Sequence, residues 1–382
     1  MSEPREPFPS IFINCGVTSI CASQDEEEET GRDYPALVQW IKKTSPMRKE
    51  KKVAKRSLSY APFLIPITRV ALIFRWWTSE TIAVVTGANR GIGFEIVRQL
   101  ALHGLTVILT SRETAVGEEA AKVLQECGLD VVFHQLDIVD PHSIEAFVKW
   151  VKEKYGGIDI LVNNAGVNFN AGSDNSVEYA EKVIGTNYFG TKNMIKAMIP
   201  VFRPSDSGAR IVNVSSRLGR LNGPRNRIEN VELRKKLEDD ESLTEELIDE
   251  TVNMFVEQVK DGTWVEGGWP HVFTDYSLSK LGVNTYTRLM ARIFAERTEG
   301  EKIYINCYCP GWVRTAMTRW AGHVSPEEGA DTGAIGLLLR VDCLGLPREP
   351  GCLQLVELGL GLEASGKKRD ERWRKEACLT LT

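Results

Sequence analysis

The sequence predicts an α/β fold in which a doubly wound parallel sheet forms the main domain. Two observations carry this prediction. Apolar β-type runs alternate with amphipathic helical segments from residue 80 onward, and a glycine-rich turn follows the first of these runs. Short connections between strands and helices imply parallel strands joined by right-handed crossovers. We expect this domain at residues 79–333, a poorly ordered N-terminal extension at 1–78 and a divergent tail at 334–382.

Each element is predicted from its local pattern. Six apolar runs are predicted strands: Thr81–Thr86, Thr106–Thr110, Val131–Leu136, Ile158–Val162, Arg210–Val214 and Ile303–Cys309. Helical spacing of apolar residues predicts helices at Gly91–Leu102, Ala115–Cys127, Val177–Ile199 and Tyr276–Ala295. A further helix opens at Pro141, since proline costs least in the first turn of a helix. Cys307 and Cys309 are two apart in the last strand, so we expect both to face one side as small apolar fillers.

Composition excludes several classes of function. The 382 residues are 42% hydrophobic and 26% charged, as in a soluble globular protein. The net charge of -5 lacks the positive excess that binding to nucleic acid requires. The eight cysteines form no C-x-x-C pair and no Cys/His cluster with metal-ligand spacing. We therefore expect no metal site, and reduced thiols as in a cytoplasmic protein.

The first 78 residues give little indication of function. They lack the basic and apolar regions of a secretory signal, and their acidic and basic runs are typical of solvated chain. Leu58–Trp77 is largely apolar, but two prolines and two arginines interrupt it. A spanning helix needs about 20 clean apolar residues, so we expect no membrane anchor. A membrane-tethered enzyme stays an alternative.

The glycine-rich turn predicts a dinucleotide site. It runs from Gly87 to Gly93 between the first strand and the first helix, and includes Asn89, Arg90, Gly91 and Ile92. Glycine lets the backbone turn sharply and approach a pyrophosphate, which the free N–H groups of a helix N-terminus can bind. A turn of this kind also arises for purely steric reasons, so it predicts the site only together with the other motifs.

The end of the second strand predicts which dinucleotide binds. Enzymes that use NAD usually carry Asp or Glu there, but this strand ends in Ser111 and Arg112. A guanidinium can bind a 2′-phosphate through two N–H donors, and Arg90 in the turn adds a second cation. The pattern favours NADP(H). The alternative is that Arg112 is a surface residue paired with Glu113 or Glu118.

Polar residues also follow the third and fourth strands. Asp137, with Ile138 beside it, is placed to accept from the adenine amino group. Asn164 belongs to the run Asn163-Asn164-Ala165-Gly166, whose amides can brace the neighbouring strands and line the cofactor. These loops lie at the carboxyl ends of parallel strands, where open α/β sheets bind their ligands.

Four residues form a predicted catalytic set. Tyr276 and Lys280 are four apart, so on a helix they share one face. A nearby ammonium lowers the pKa of a phenol, which lets Tyr276 act as a general acid toward a carbonyl oxygen. Ser216 is placed to donate to that same substrate oxygen, and Lys280 to bind the nicotinamide ribose. Asn187 is expected to hold a water molecule that links Lys280 to solvent.

Residues 80–333 resemble the short-chain dehydrogenase/reductase superfamily, whose members have a Rossmann fold. The resemblance rests on the motifs Thr86–Gly93, Asn163–Gly166, Asn187, Ser216, Tyr276 with Lys280, and Pro310-Gly311. It implies that Ser216 rather than Ser215 is catalytic and contacts substrate. It also implies that Val313 and Thr315 close over the nicotinamide and phosphates, and that the reaction is NADP-dependent reduction of a small-molecule carbonyl compound.

An insertion between Ser216 and Tyr276 indicates which group within the family the sequence resembles. About 60 residues separate Ser216 from Tyr276, and the excess at 225–264 is charged and helical in pattern. This is similar to the monomeric carbonyl reductase group, above all to the plant menthone/neomenthol and salutaridine reductase-like enzymes. The resemblance implies a monomer, because the insertion would cover the helices through which other members associate.

Both ends of the chain depart from the family pattern. The pattern begins near Trp76, and after Gly333 the sequence does not continue into the expected seventh strand. An alternative reading follows, namely a dinucleotide-binding protein whose altered tail leaves it inactive.

Overall fold

In the computed structural model, a parallel sheet forms the centre of the described part of the chain, residues 76–169, 176–224 and 226–338. Its strands, numbered in chain order, are β1 (Ile82–Val85), β2 (Thr106–Ser111), β3 (Val131–Gln135), β4 (Ile160–Asn163), β5 (Ala209–Val214) and β6 (Ile303–Tyr308). Their order across the sheet is β3-β2-β1-β4-β5-β6, and all neighbours are parallel. The predicted doubly wound α/β fold is confirmed.

Helices connect and cover the strands. They are α1 (Gly91–Leu102), α2 (Thr114–Glu126), α3 (Pro141–Tyr155), α4 (Val177–Ile184), α5 (Thr191–Met198), α6 (Val231–Glu238), α7 (Glu245–Asp261), α8 (Thr274–Ala295) and α9 (Pro326–Leu338). The predicted start of α3 at Pro141 is confirmed. Asp140 caps this helix by accepting from the N–H of His142, and Gly156 ends it with a φ of 71°.

The central strand β1 creates the crevice in which ligands bind in such folds. It pairs with β2 through Val85 and Leu109 and with β4 through Val85 and Val162. The chain therefore leaves β1 toward one edge of the sheet and later returns to its other side. The connections after β1 and β4 diverge at this switch point and open a crevice beyond the carboxyl ends of the strands.

The predicted helix Val177–Ile199 is present but not uniform. A π-helical turn at Gly185–Gly190 separates α4 from α5, and a short 3₁₀ turn covers Ile199–Val201. The reason is visible at Asn187, whose side-chain amide bonds both main-chain groups of Val167. Apolar spacing does not reveal a turn that is widened by one residue to make these bonds.

The insertion folds into α6 and α7 and packs on the main domain. Most of its apolar residues join the buried core: Ile228, Leu237, Leu243, Ile248, Val252, Phe255 and Val259. Val231 does not, since 48% of its surface is exposed. Lys192 of α5 forms an ion pair with Asp249 of α7 at 2.6 Å, and the hydroxyl of Tyr188 donates to the same carboxylate at 2.7 Å. Thus α7 covers the π-helical turn and α5.

The ends of the domain differ in detail from the prediction. Trp77 is buried and its indole donates to the carbonyl of His103 at 3.2 Å, so the ordered chain includes residues assigned to the extension. Helix α9 runs through Gly333 to Leu338. A Cβ at Gly333 would lie 2.6 Å from the hydroxyl of Tyr308, so glycine allows α9 to pack on β6.

Residues 1–75 and 339–382 lie outside the described residues, and the predictions for the extension, most of Leu58–Trp77 and most of the tail lie there with them. Among the helices of the described ranges, none has the length and apolar character needed to cross a membrane.

Candidate active site

The glycine-rich turn connects β1 to α1 at the carboxyl edge of the sheet. Gly87 and Gly91 both have a φ of +60°, in the region that favours glycine. A Cβ at Gly93 would lie 2.4 Å from the side-chain nitrogen of Asn164. Arg90 is the N-cap residue of α1, and its side chain does not cap the helix. The turn therefore presents the main-chain N–H groups of a helix N-terminus to a ligand.

Two polar side chains join this turn to β4. The Nδ2 of Asn164 donates to the carbonyls of Thr86 at 3.0 Å and Gly87 at 2.9 Å. The hydroxyl of Thr86 accepts from the N–H groups of Asn164 and Ala165, both at 3.0 Å. This role of Thr86 is not among the predicted site residues, although its position directly after β1 was a usable signal. The resulting backbone cradle, which an added Cβ would fill, fits the pyrophosphate of a dinucleotide.

The cations proposed for a 2′-phosphate lie near this cradle. Arg90 and Arg112 are exposed, and Asn89 is half-buried. Among the described residues, Arg112 forms no ion pair with Glu113 or Glu118. Ser111 is buried at the end of β2, and its hydroxyl donates to the carbonyl of Glu113 at 3.1 Å.

The connection after β3 forms another wall of the crevice. Asp137 is half-buried, and its carboxylate accepts from the N–H of Val139 at 3.0 Å. Ile138 is buried and packs against Gly190, where a Cβ would lie 2.9 Å from Cδ1 of the isoleucine. Asp137 is thus partly accessible to a ligand, whereas the side chain of Ile138 belongs to the core.

The loop after β6, residues 311–325, lies over the glycine-rich turn. Cγ2 of Thr315 is 3.3 Å from the position that a Cβ at Gly91 would take. Val313 is buried and forms a bridge with Val324, which fixes the two arms of the loop. The structure therefore brings the predicted Val313 and Thr315 to the same crevice as Gly91.

Tyr276 and Ser216 meet at the centre of the crevice. Tyr276 lies in the first turn of α8, and Ser216 follows β5. The hydroxyl of Ser216 lies close enough to Tyr276 to lower the pKa of the phenol. Ser215 points elsewhere, because its hydroxyl donates to Asn284 at 2.6 Å. Of the two adjacent serines, only Ser216 has its hydroxyl beside Tyr276.

Lys280 lies one helical turn after Tyr276 and is buried. Its ammonium is 5.6 Å from the centre of the Tyr276 ring and donates to the carbonyl of Val214 at 2.9 Å. Burial lowers the pKa of Lys280 to about 8, against weaker opposing effects of Cys309 and Cys307. The lysine therefore titrates within the range in which enzymes work.

The pKa of Tyr276 differs from the expectation. Burial raises the pKa of this phenol well above its usual value, and Cys309 raises it further, while the hydrogen bond from Ser216 lowers it. The expected lowering of this pKa by Lys280 does not appear in the protein alone. Cys309 also differs from its prediction, because β6 ends at Tyr308 and Cys309 lies beyond the strand, half-buried near this pair.

Asn187 is fully buried and its side chain is engaged. Its Oδ1 accepts from the N–H of Val167 at 2.7 Å, and its Nδ2 donates to the carbonyl of Val167 at 2.9 Å and to the hydroxyl of Ser279 at 3.0 Å. Ser279 in turn donates to the carbonyl of Tyr276 at 2.7 Å. Asn187 thus braces the first turn of α8, and its side chain is already occupied by protein groups.

Three large apolar side chains are exposed on the 311–325 loop. They are Trp312, Met317 and Trp320, with 43%, 44% and 53% of their surface accessible. Arg319 and Trp320 have φ values of 48° and 61°, which is strained for residues with a side chain. Apolar surface beside a polar crevice suits a ligand with an apolar body.

Comparison with known proteins agrees with this geometry. The model of the short chain dehydrogenase family matches residues 81–227. Carbonyl reductase [NADPH] 1 of Mus musculus is 41% identical over 270 residues, which cover 70% of this chain and 94% of that protein. The (+)-neomenthol dehydrogenase of Arabidopsis thaliana is 41% identical over 273 residues, which cover 65% of this chain and 88% of that protein.

A solved structure shows the same similarity. The structure of salutaridine reductase from Papaver somniferum matches with a TM-score of 0.60 and 36% identity, over 71% of this chain and 98% of that one. The similarity thus extends over almost all of each relative and includes the sheet, the glycine-rich turn and the Tyr276 helix. The chain belongs to the short-chain dehydrogenase/reductase family and is carbonyl reductase-like.

Proposed function

We propose that this protein catalyses the NADPH-dependent reduction of an apolar ketone or aldehyde to an alcohol. The observation that carries the proposal is the meeting of Ser216, Tyr276 and Lys280 beside a backbone cradle that fits a dinucleotide. The nicotinamide, when bound, supplies the hydride. The protein has to bind and orient both reactants and deliver a proton to the substrate oxygen.

Tyr276 is the proposed proton donor. Because burial raises its pKa, the phenol stays protonated at neutral pH and has a proton to give. The hydroxyl of Ser216, which lies beside Tyr276, is placed to donate to the same substrate oxygen as negative charge develops on it. Two donors on one oxygen favour the transition state over the neutral carbonyl.

Lys280 is proposed to assist this step electrostatically and to bind the nicotinamide ribose. Its ammonium favours the phenolate that remains after proton transfer, and the carbonyl of Val214 holds it in place. We propose that the main-chain carbonyl of Asn187, rather than its engaged side chain, holds the water through which the proton is replaced.

The preference for NADP(H) is proposed from charge. Arg112 and Arg90 are exposed cations near the cradle, and β2 ends in Ser111 where enzymes that use NAD carry a carboxylate. A guanidinium is the side chain best suited to a phosphate dianion. The name of the mouse relative, which includes NADPH, supports the same choice.

The substrate class and the monomeric state are likewise proposals. The exposed Trp312, Met317 and Trp320 suit an apolar carbonyl compound, and relatives named for neomenthol and salutaridine support this. Helix α7 covers α4 and the π-helical turn, surfaces through which we expect other family members to associate. Sedimentation of the purified full chain at several concentrations would test for a monomer.

Replacement of Tyr276 tests the mechanism. We expect Tyr276→Phe to lower kcat by about a hundredfold or more, because the proton donor is lost, with NADPH binding retained. The assay follows NADPH oxidation with menthone, an aromatic aldehyde and a quinone, and NADPH binding by fluorescence. Unchanged turnover would contradict the mechanism. Tight NADPH binding by the wild-type protein without turnover of any carbonyl compound would instead favour the inactive dinucleotide-binding protein.

A further inference from the structure

Asn284 shares a helix face with the two catalytic residues of α8. It lies four residues after Lys280 and eight after Tyr276, so all three side chains follow one another along the helix. Asn284 is half-buried and lies beyond Lys280, away from the reacting atoms. A role in chemistry would therefore have to act through another residue.

The side chain of Asn284 contacts the segment that carries Ser216. Its Oδ1 accepts from the hydroxyl of Ser215 at 2.6 Å. Its Nδ2 donates to the carbonyl of Gly219 at 2.9 Å and reaches the carbonyl of Ser216 itself at 3.5 Å. The Asn284 amide thus contacts Ser215, the main-chain carbonyl of Ser216 and the turn that follows Ser216.

The turn after Ser216 is seated directly on the helix backbone. Ser216 caps the 3₁₀ turn Arg217–Gly219 by accepting from the N–H of Leu218 at 3.1 Å. A Cβ at Gly219 would lie 2.3 Å from the carbonyl carbon of Lys280. This close contact sets the distance between the turn and the backbone of α8. The bonds from Asn284 set the position of the turn along the helix axis.

We propose that Asn284 is a positioning residue that sets the place of the Ser216 hydroxyl relative to Tyr276. The inference rests on the proposed function, in which these two hydroxyls share one substrate oxygen. Only a side chain that both accepts and donates can serve here, because Ser215 offers a hydrogen and Ser216 and Gly219 offer carbonyl oxygens. An aspartate would place negative charge against two carbonyls.

Replacement of Asn284 alone gives the first measurement. We expect Asn284→Ala to lower kcat by about tenfold to a hundredfold, since small misplacements of catalytic groups have effects of this size. NADPH binding should stay within about twofold, because the cradle is untouched. Asn284→Asp should be no better than Asn284→Ala. Asn222→Ala is the matched control, because Asn222 bonds only the exposed Glu238 at 2.6 Å among its described contacts, and kcat should not change.

Coupling to Ser216 separates positioning from a general loss of structure. If Asn284 acts through Ser216, Asn284→Ala should change kcat by less than about twofold in a Ser216→Ala background. Equal losses in both backgrounds would overturn the proposal. A loss of NADPH binding equal to the loss in kcat would do the same.

An NMR measurement that needs no turnover tests the positioning role separately from the proposed function. In protein labelled with ¹³C at Cζ of tyrosine, the Tyr276 signal is assigned by its absence in Tyr276→Phe. Ser216→Ala should move this signal, because the neighbouring hydroxyl that acts on the phenol is lost, and Asn284→Ala should move it in the same direction. An unmoved signal in Asn284→Ala would refute the positioning role. Absence of turnover in the wild type would refute the proposed function alone.

Discussion

Replacement of Gly93 by alanine should weaken coenzyme binding through a contact that is visible in the fold. Gly93 lies in the first turn of α1, and its α-carbon faces the amide of Asn164. An added Cβ would lie 2.4 Å from Nδ2 of Asn164 and 2.9 Å from the α-carbon of Ala88. Ordinary contacts of a Cβ are 3.4–4 Å, so the amide would have to retreat by about 1 Å.

The size of the effect follows from the bonds that this retreat breaks. Nδ2 of Asn164 donates to Thr86 at 3.0 Å and to Gly87 at 2.9 Å, and each bond contributes about 1 kcal/mol. Displacement of packed atoms by the new methyl group lowers the free energy of unfolding by about 1–3 kcal/mol more. Alanine raises it by about 1 kcal/mol, because alanine favours the helix more than glycine does. We expect the free energy of unfolding to fall by about 2–4 kcal/mol.

Coenzyme affinity should fall as well, because the displaced backbone is the proposed pyrophosphate cradle. We expect NADPH binding by Gly93→Ala to be at least about tenfold weaker, which corresponds to about 1.4 kcal/mol. Fluorescence titration gives the dissociation constant, and urea denaturation gives the stability. Gly185→Ala is the matched control, since no atom lies within 4 Å of its Cβ position and its φ of -58° is helical. Wild-type affinity and stability in Gly93→Ala would refute the reasoning.

Three further changes test other parts of the structure. Arg112→Asp should lower the preference for NADPH over NADH by about tenfold to a hundredfold, because a carboxylate repels the 2′-phosphate; the ratio of kcat/KM values measures it. The pKa of Lys280 is lowered to about 8 by burial, so its ammonium is lost as pH rises, and kcat/KM should fall above about pH 8. Lys280→Arg keeps the cation and should remove this basic limb. Lys192→Met should lower the free energy of unfolding by about 2 kcal/mol in urea denaturation, because it leaves the carboxylates of Asp249 and Glu245 without their buried partner.

Each of these predictions has a control and a contrary result. Lys122→Asp changes an exposed charge further along α2 and should leave the coenzyme preference unaltered; an equal shift in both variants would point to general electrostatics. The role of Lys280 would be contradicted by a basic limb that persists unchanged in Lys280→Arg. Lys182→Met removes an exposed pair with Glu178, which water screens, and should lower the free energy of unfolding far less. If both variants lower the free energy of unfolding equally, the buried Lys192 contributes no more than an exposed lysine, which contradicts the prediction.

The sheet and the cofactor crevice were predictable because each depends on local sequence. The strand before Gly87 is apolar throughout, the turn is rich in glycine, and polar residues follow successive strands. Parallel order then brings the ends of those strands together without further information. The pairing of Tyr276 with Lys280 is equally local, because four residues on a helix define one face.

Other features depend on contacts between distant parts of the chain, which a single sequence does not record. The direction of the Ser215 hydroxyl depends on its bond to Asn284, 69 residues further along. The raised pKa of Tyr276 depends on how much of α8 is covered, whereas the sequence suggested only its neighbour Lys280. The exposure of Val231 likewise depends on which face of α6 meets the domain. In each case tertiary packing determines a property that the local sequence pattern leaves open.

The π-helical turn at Gly185–Gly190 makes this part of the chain intolerant of changes in length. Deletion of one residue would allow an ordinary α-helix to form in place of the widened turn, with α4 and α5 kept in their relative orientation. Asn187 would then no longer face Val167 and Ser279. Insertions and deletions between α4 and α5 should therefore abolish activity, whatever residues are used.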